Sequence, residues 1–296
     1  MSLIQVARYS DVKYDFKDGY ARVPVLEGAF DQAHFAHCAL QPGHSITPDV
    51  YSVTEHNQLF IFTKGKGYVT TPREAWNVTE PGVFVPEFDT ERFTITCSAD
   101  SKQPLEFLHI ITELNGYDKT CLVESRMVLP RFRTISQGWT YDEDFKDNSV
   151  TTSMMLLEHR NLGRLSMGCV KGCGPIEIGQ HIHNELAQWY FPLPGSEFII
   201  YRRRRGSAHD RRRPVLHPHR LLARQQGRGW QEVRLHLVRD VHRRVSRRDQ
   251  IRSTERNAYL IVHTQQFTVK GNLPWLWSRF QEVLISSTSI PTACPA

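Results

Sequence analysis

Residues 179–201 read "GQHIHNELAQWYFPLPGSEFIIY". Successive side chains of a strand point to opposite faces, so His181 and His183 share one face of a strand that carries them. Gln188 opens the next apolar run, which Pro194 and Gly195 close as a turn. In a small β-barrel, Gln188 on that following strand can point inward beside the two imidazoles. Two imidazoles and an amide oxygen suit a divalent transition metal. An earlier stretch, "QLFIFTKG" at residues 58–65, has the same frame. Gln58 and Gly65, like Gln188 and Gly195, bracket six residues of mostly apolar strand. The chain repeats one design.

Around each copy the sequence has the same texture. From Phe30 to Ile111 short β-type runs follow one another: "HFAHCAL", "QLFIFTKGKGYVTT", "GVFVPEF", "RFTITC" and "LEFLHIIT", with Gly, Pro, Asp and Asn turns between them. A second series starts near Met154 with "MMLLEH", "GRLSMGCV" and "GPIEIGQHIH", and ends with "EFIIY". Many short punctuated strands argue for an all-β sandwich or barrel. Between the two series lies "SQGWTYDEDFKDNS", which reads as a connection wrapped on the surface.

At 296 residues, 40% hydrophobic and 23% charged, the chain can bury a sizeable core. The N-terminal stretch "MSLIQVARYSDVKYDF" lacks the apolar centre of a signal peptide, and no run of about 18 apolar residues predicts a membrane span. Six scattered cysteines form no paired C-x-x-C zinc site and no disulfide framework, which fits a reducing cytoplasm. The net charge of +6 is unevenly spread. Arg202 to Arg256 holds 18 arginines, no lysine and five acids, a local balance of +13, so the rest of the chain is acidic.

The spacing H-x-H-x4-Q-x6-G at His181, His183, Gln188 and Gly195 resembles the first motif of the cupin superfamily, and two copies in one chain resemble a bicupin. The resemblance implies an all-β fold of two jelly-roll barrels. It implies one divalent transition metal (Fe, Mn, Ni or Zn) as cofactor, held by His181, His183, Gln188 and a last histidine from a second motif, G-x5-P-x-G-x2-H. In the first barrel, aligning on Gln58 puts Ser52 and Thr54 at the histidine positions and Glu91 at the last one, so that barrel is expected to be degenerate and metal-free. His56 reads as off the alternation. His34, His37, His44 and His109 read as core or surface histidines. Trp189, Tyr190 and Phe191 are candidate substrate-pocket residues, with Trp189 or Phe191 also suited to packing between the barrels.

The second motif should begin near residue 212, inside the arginine block, and it is absent there. One choice of synonymous codons from Arg212 to Arg224, read one base later, encodes GDLFYIPTGSSHG. That is the missing motif, with its histidine codon spanning Ala223 and Arg224. A one-base insertion near the Tyr201 codon is therefore expected, so that the second barrel is incomplete in the chain as written. The organisation expected is a first barrel over 1–115, a connection over 116–150, the start of a second barrel over 151–201 and an out-of-frame segment over 202–296.

The function implied is a metal-dependent enzyme, a lyase, isomerase or dioxygenase, acting on a small polar substrate such as a sugar acid or organic acid. The H-x-H-x4-Q set is similar to that of small cupins that act on unsaturated uronic acids. A non-catalytic bicupin that binds a small ligand is the alternative, and nucleic-acid binding through the arginine block a third reading. A small-molecule substrate is the expected partner and a membrane is not; self-association into a homodimer stays open.

Overall fold

The computed structural model of the chain describes residues 6–173, 177–178, 186–193, 196, 198–204, 220–222, 229–235 and 256–265, and beyond Ser196 it describes the backbone course of the strands. The first half contributes β1 (Tyr20–Val25), β2 (Ala33–Leu40), β3 (Ser45–Ile46), β4 (His56–Lys64), β5 (Gly67–Thr70), β6 (Ala75–Val78), β7 (Gly82–Val85), β8 (Thr94–Cys97) and β9 (Leu105–Glu113). The helix α1 (Gly116–Ser125), β10 (Arg131–Thr134) and β11 (Trp139–Tyr141) follow. The second half contributes β12 (Thr151–Leu162), β13 (Leu165–Cys173), β14 (Glu177–Ile178), β15 (Leu186–Pro192), β16 (Phe198–Arg204), β17 (Arg220–Leu222), β18 (Gly229–Leu235) and β19 (Arg256–Gln265). No helix among the described residues is long and apolar enough to cross a membrane.

Two pairs of sheets result. The first pair has the orders β1-β2-β9-β4-β7-β10 and β3-β8-β5-β6, the second β11-β12-β13-β19-β15 and β14-β17-β16-β18. Neighbours run antiparallel except at β17, which is parallel to both β14 and β16. Alternation along β4 sorts its side chains. Phe60 and Phe62 enter a core between the first two sheets, with Val69, Phe84, Phe93, Ile95 and Phe107. Leu59 and Ile61 point the other way, into a second core with Phe35, Val83, Leu108 and Ile110. That core is completed from the second half by Met154, Leu156, Met167, Cys169 and Phe191. The large sheets of the two halves are thus glued face to face by apolar side chains, the main stabilising term in such a packing. The glycine that ends the first motif has a physical reason. Gly65 sits at φ +88°, and a Cβ there would lie 2.3 Å from the Pro104 carbonyl oxygen.

The connection over 116–150 is more than a surface wrap. After α1 the chain returns to the first half, where β10 pairs with β7, and then enters the second half, where β11 pairs with β12. Polar composition made it look solvent-facing, yet the Lys146 side chain is fully buried. Most of residues 142–150 are exposed, Asp142, Asp144, Asp147 and Asn148 among them; Lys146 is the exception, and Glu143 is half-buried against Ser153.

Two ion-pair networks tie the halves. Asp118, in the first turn of α1, closes a capping box with Asn115. It also receives the Arg164 backbone N–H at 2.7 Å and the Arg164 Nε at 3.0 Å. Arg164 donates further to Gln32 Oε1 at 2.8 Å and to the Glu113 carbonyl at 3.0 Å. Gly163 makes the turn that presents Arg164; it sits at φ +63°, and a Cβ there would strike Asp118.

The second network centres on Glu158, which pairs with Arg131 and Arg133 of β10 and accepts from Trp139 Nε1 at 3.2 Å and Asn161 Nδ2 at 2.9 Å. Burial alone would raise the Glu158 carboxyl; the Arg133 hydrogen bond and the two guanidinium charges outweigh it and hold the group down at about 2. A carboxyl lowered in the folded state stabilises the fold above its unfolded value and loses that contribution as pH falls through the folded value. Stability measured by urea unfolding is therefore expected to fall between about pH 4.5 and pH 2, and Glu158→Gln should flatten that part of the profile. An unchanged acid limb in Glu158→Gln would place the acid sensitivity elsewhere.

Candidate functional site in the second barrel

The interior of the first half is filled. Phe60, Phe62, Phe84, Phe93 and Phe107 are each under 2% exposed and occupy it together. At its edge Gln58, the counterpart of Gln188, is tied down: its Oε1 lies 3.1 Å from His109 Nε2, and its Nε2 donates to the Asp49 carbonyl at 2.8 Å. His109 stacks on Phe60 at 4.4 Å, and burial, helped by the Arg22 charge, lowers it to about 4. Its imidazole is therefore neutral at neutral pH. Ser52 and Thr54, at the two histidine positions, bond to each other at 2.9 Å on an exposed loop. Glu91, at the last position, pairs with Arg73. His56 lies two residues before Gln58 on β4, hence on the same face, and packs at a tilt against Tyr51 with ring centroids 5.4 Å apart; the alternation read from the sequence was one residue off. His37 bonds Tyr14 at 2.6 Å and His44 bonds the Pro42 carbonyl at 3.1 Å, as core and surface histidines do.

The second half differs. The face of β12, β13 and β15 turned away from the shared core carries Ser153, Ser166, Gly168, Gln188 and Tyr190. The register sets them in rows. Gly168 and Tyr190 both pair with Ile261 of β19, while Ser166 and Gln188 both pair with His263. Ser153 and Ser166 are buried. Trp189 takes the opposite face, packing on Phe30 at 5.5 Å and Phe35 at 5.0 Å, and Phe191 lies 6.3 Å from Phe35. Of the three aromatics expected at a pocket, Trp189 and Phe191 therefore belong to the packing between the halves, and Tyr190 shares the face of Gln188. His181 and His183 lie outside the described residues, as does most of the segment over 202–296.

The connection completes this interior with residues that sequence reading missed. Glu143 accepts from Ser153 Oγ at 2.7 Å, and Asn148 clamps its backbone through Glu143 N–H to Oδ1 at 3.3 Å and Nδ2 to the Glu143 carbonyl at 3.1 Å. Lys146 Nζ donates to Asn148 Oδ1 at 2.8 Å and Thr151 Oγ1 at 3.2 Å, and stands 4.0 Å from Glu143 Oε2. Burial lowers the Lys146 ammonium, with Glu143 and Asp142 opposing. Tyr141 reaches over Gly168, whose absent side chain leaves room for it: a Cβ there would lie 3.2 Å from the Tyr141 hydroxyl. Burial, then the Glu143 charge, raises Tyr141 to about 12, and the same two causes raise Tyr190. Both hydroxyls keep their protons and can donate. No pattern in the sequence could have found this strand, since the three residues Trp139–Tyr141 are too few to show a period.

No group of three His, Cys, Asp or Glu side chains converges among the described residues. What is described of the second interior is polar, presenting an amide, hydroxyls, a carboxylate and the Lys146 amine where the first interior presents phenylalanine rings.

No protein-family model matches the chain, and no curated protein does. Solved structures do. A Pseudomonas aeruginosa structure assigned as a glyoxylate-induced protein superposes with a TM-score of 0.51 at 11% identity, over 88% of this chain and 86% of that one. An oxalate decarboxylase from Bacillus subtilis covers 88% of this chain and 76% of its own at 11% identity and a TM-score of 0.45. A cupin protein from Bacteroides fragilis shares 24% identity over 36% of this chain and 89% of its own, with a TM-score of 0.27. At these identities the likeness speaks for the fold alone, and with the two pairs of sheets and the repeated Q-x6-G strand it gives the chain a cupin fold of the two-barrel, bicupin kind.

Proposed function

We propose that the chain is a metal-dependent bicupin enzyme whose site lies inside the second barrel and takes a small organic or sugar acid. The observation that carries this is the contrast between the interiors: phenylalanines fill the first, while Ser153, Ser166, Gln188, Tyr190 and Glu143 line the second. His181, His183 and Gln188 would hold the cation, by the spacing of their motif. Such an ion supplies a Lewis acid for an oxyanion or a carboxylate. Around it the chain's own residues orient and donate. The protonated hydroxyls of Tyr141 and Tyr190 can bond substrate oxygens, and the Lys146 amine stands 4.0 Å from Glu143. A lyase, isomerase or dioxygenase step on a small polar acid matches these parts.

Elemental analysis of the purified chain tests the reading. His181→Ala is expected to lose stoichiometric metal, because one imidazole and an amide are too few protein donors to hold the ion. Full metal content in that variant would defeat the assignment. Turnover of a panel of small organic and sugar acids then separates an enzyme from a binding protein.

We further propose that residues 202–250 are written one base out of register. In support, β17 lies inside the re-read motif and is the strand that pairs in parallel on both sides.

A further inference from the structure

The N-terminal residues cover the first barrel with a cluster of titratable groups that the second-barrel site does not use. Val12, Tyr14 and Phe16 are half-buried, while Lys13, Asp15 and Lys17 between and after them are exposed. The segment thus lies along the barrel as a strap with one face down. It is not a strand of the sheet. Among the described residues no backbone hydrogen bond joins residues 6–16 to a strand, so side chains hold the strap in place. They land on the face of β2 and β9 that turns Phe35 and Ile110 toward the second half and continues with His37 and Glu106. Tyr9 donates to Glu106 Oε2 at 2.6 Å, and the Tyr14 hydroxyl lies 2.6 Å from His37 Nδ1 and 3.3 Å from Glu106 Oε2. The Tyr9 ring meets the His37 ring edge-on at 5.4 Å. Lys64 of β4 donates to the other Glu106 oxygen at 2.8 Å. Burial, then Glu106, keeps both tyrosines protonated, so Tyr14 has one proton to give, and His37 Nδ1 is its nearer acceptor.

That bond requires a neutral imidazole, because both nitrogens of a protonated ring are donors. Protonation makes Tyr14 turn its proton to Glu106, over the longer distance and onto an oxygen that Tyr9 already holds. The charges count the same way. Glu106 is buried and already paired with Lys64, so a second cation at His37 leaves the cluster one positive charge in excess under the strap. Burial, opposed by Glu106 and aided by Lys64, lowers the imidazole from its ordinary value of 6.5. An opened strap returns the ring to that value. Closure is therefore fully favoured above pH 6.5 and loses ground as pH falls below it, where the open form binds more protons. Among the described residues Tyr9, Tyr14, Glu106 and Lys64 are the titratable groups facing the ring; its strand partners are Val23 and Leu108, and Lys13 and Asp15 of the strap point outward. We propose that residues 6–17 form an acid-released strap, with His37 as its sensor and Tyr14 as its latch. Release uncovers His37, Glu106 and the end of the face that joins the halves. This device stands apart from the metal reading of the second barrel.

Trypsin cleavage after Lys13 in the full chain, divided by its rate on a free peptide of residues 6–17 at the same pH, reads the opening of the strap. The normalised rate is expected to be low at about pH 7.5 and to climb several-fold by about pH 5.5, at most about tenfold per pH unit because a single proton is bound. Tyr14→Phe should raise the rate at the higher pH and shrink the climb. His37→Gln keeps an acceptor for Tyr14 but cannot titrate, so its rate should stay low and equal at both pH values. A normalised rate that does not change with pH in the unaltered chain overturns the proposal, and a full climb retained in a folded His37→Gln overturns the role of His37. If His37→Gln does not fold, histidine NMR of the unaltered chain decides. A His37 midpoint at or above its ordinary value there means that the closed strap holds the protonated ring as well as the neutral one, and the proposal falls.

Discussion

Replacing Arg164 by methionine is expected to cost about 3–5 kcal/mol of stability, the range found when one member of a buried ion pair is removed. The side chains of Arg164 and Asp118 are 8% and 3% exposed, so the carboxylate left behind would have little water to turn to. The loss is larger than one pair because Arg164 also satisfies Gln32 and the Glu113 carbonyl. Gln32 and Glu113 belong to the first half, Asp118 to the connecting helix and Arg164 to the second half, so the variant loosens the junction rather than one barrel. Pairing it with Asp118→Asn should recover part of the loss, since a buried amide is cheaper than an unpaired carboxylate. Urea unfolding of the single and double variants measures both effects. A single variant within 1 kcal/mol of the parent, or a double variant worse than the sum, would show that the pair is not the clamp described.

The parts of the fold legible in the sequence were those written in period two. β4 and β15 announced themselves through Gln58 to Gly65 and Gln188 to Gly195, because a strand between a polar inward residue and a glycine turn keeps a fixed spacing. The core between the barrels was half legible: Trp189 and Phe191 alternate with Gln188 and Tyr190, which fixes that the pairs face opposite ways but not which way is inward. Contact with Phe30 and Phe35 settles it. Glu143 and Lys146 were not legible. A strand of three residues, Trp139–Tyr141, is too short to show a period, and Glu143 reads as solvated charge, like the exposed Asp142 and Asp144, until Ser153 Oγ is seen to donate to it. Asp118 and Arg164 are 46 residues apart, and no local pattern joins them.

Restoring the reading frame, by removal of one base just after the Tyr201 codon, is expected to raise the affinity for a divalent metal by at least about tenfold, since a direct ligand matters no less than the outer groups whose loss costs that much. The re-read chain places a histidine at the codon spanning Ala223 and Arg224, and with it the last donor of the second barrel. Charge makes the same case from the other side. Arg202 to Gln250 carries 16 arginines against four acids. Each arginine buried in a barrel wall without a partner costs several kcal/mol, so this stretch cannot close the second barrel with its own side chains. Trypsin should therefore cut the chain as written many times between residues 202 and 250 while leaving Phe30 to Ile111 intact, and the restored chain should resist there. A barrel left open also presents unpaired strand edges, which favour aggregation, so the restored chain should be the more soluble of the two. Resequencing the coding DNA across the Tyr201 codon is the direct check. Unchanged bases, together with trypsin resistance through the arginines and metal held at full stoichiometry by the chain as written, would mean that these arginines are paired and ordered parts of the barrel wall.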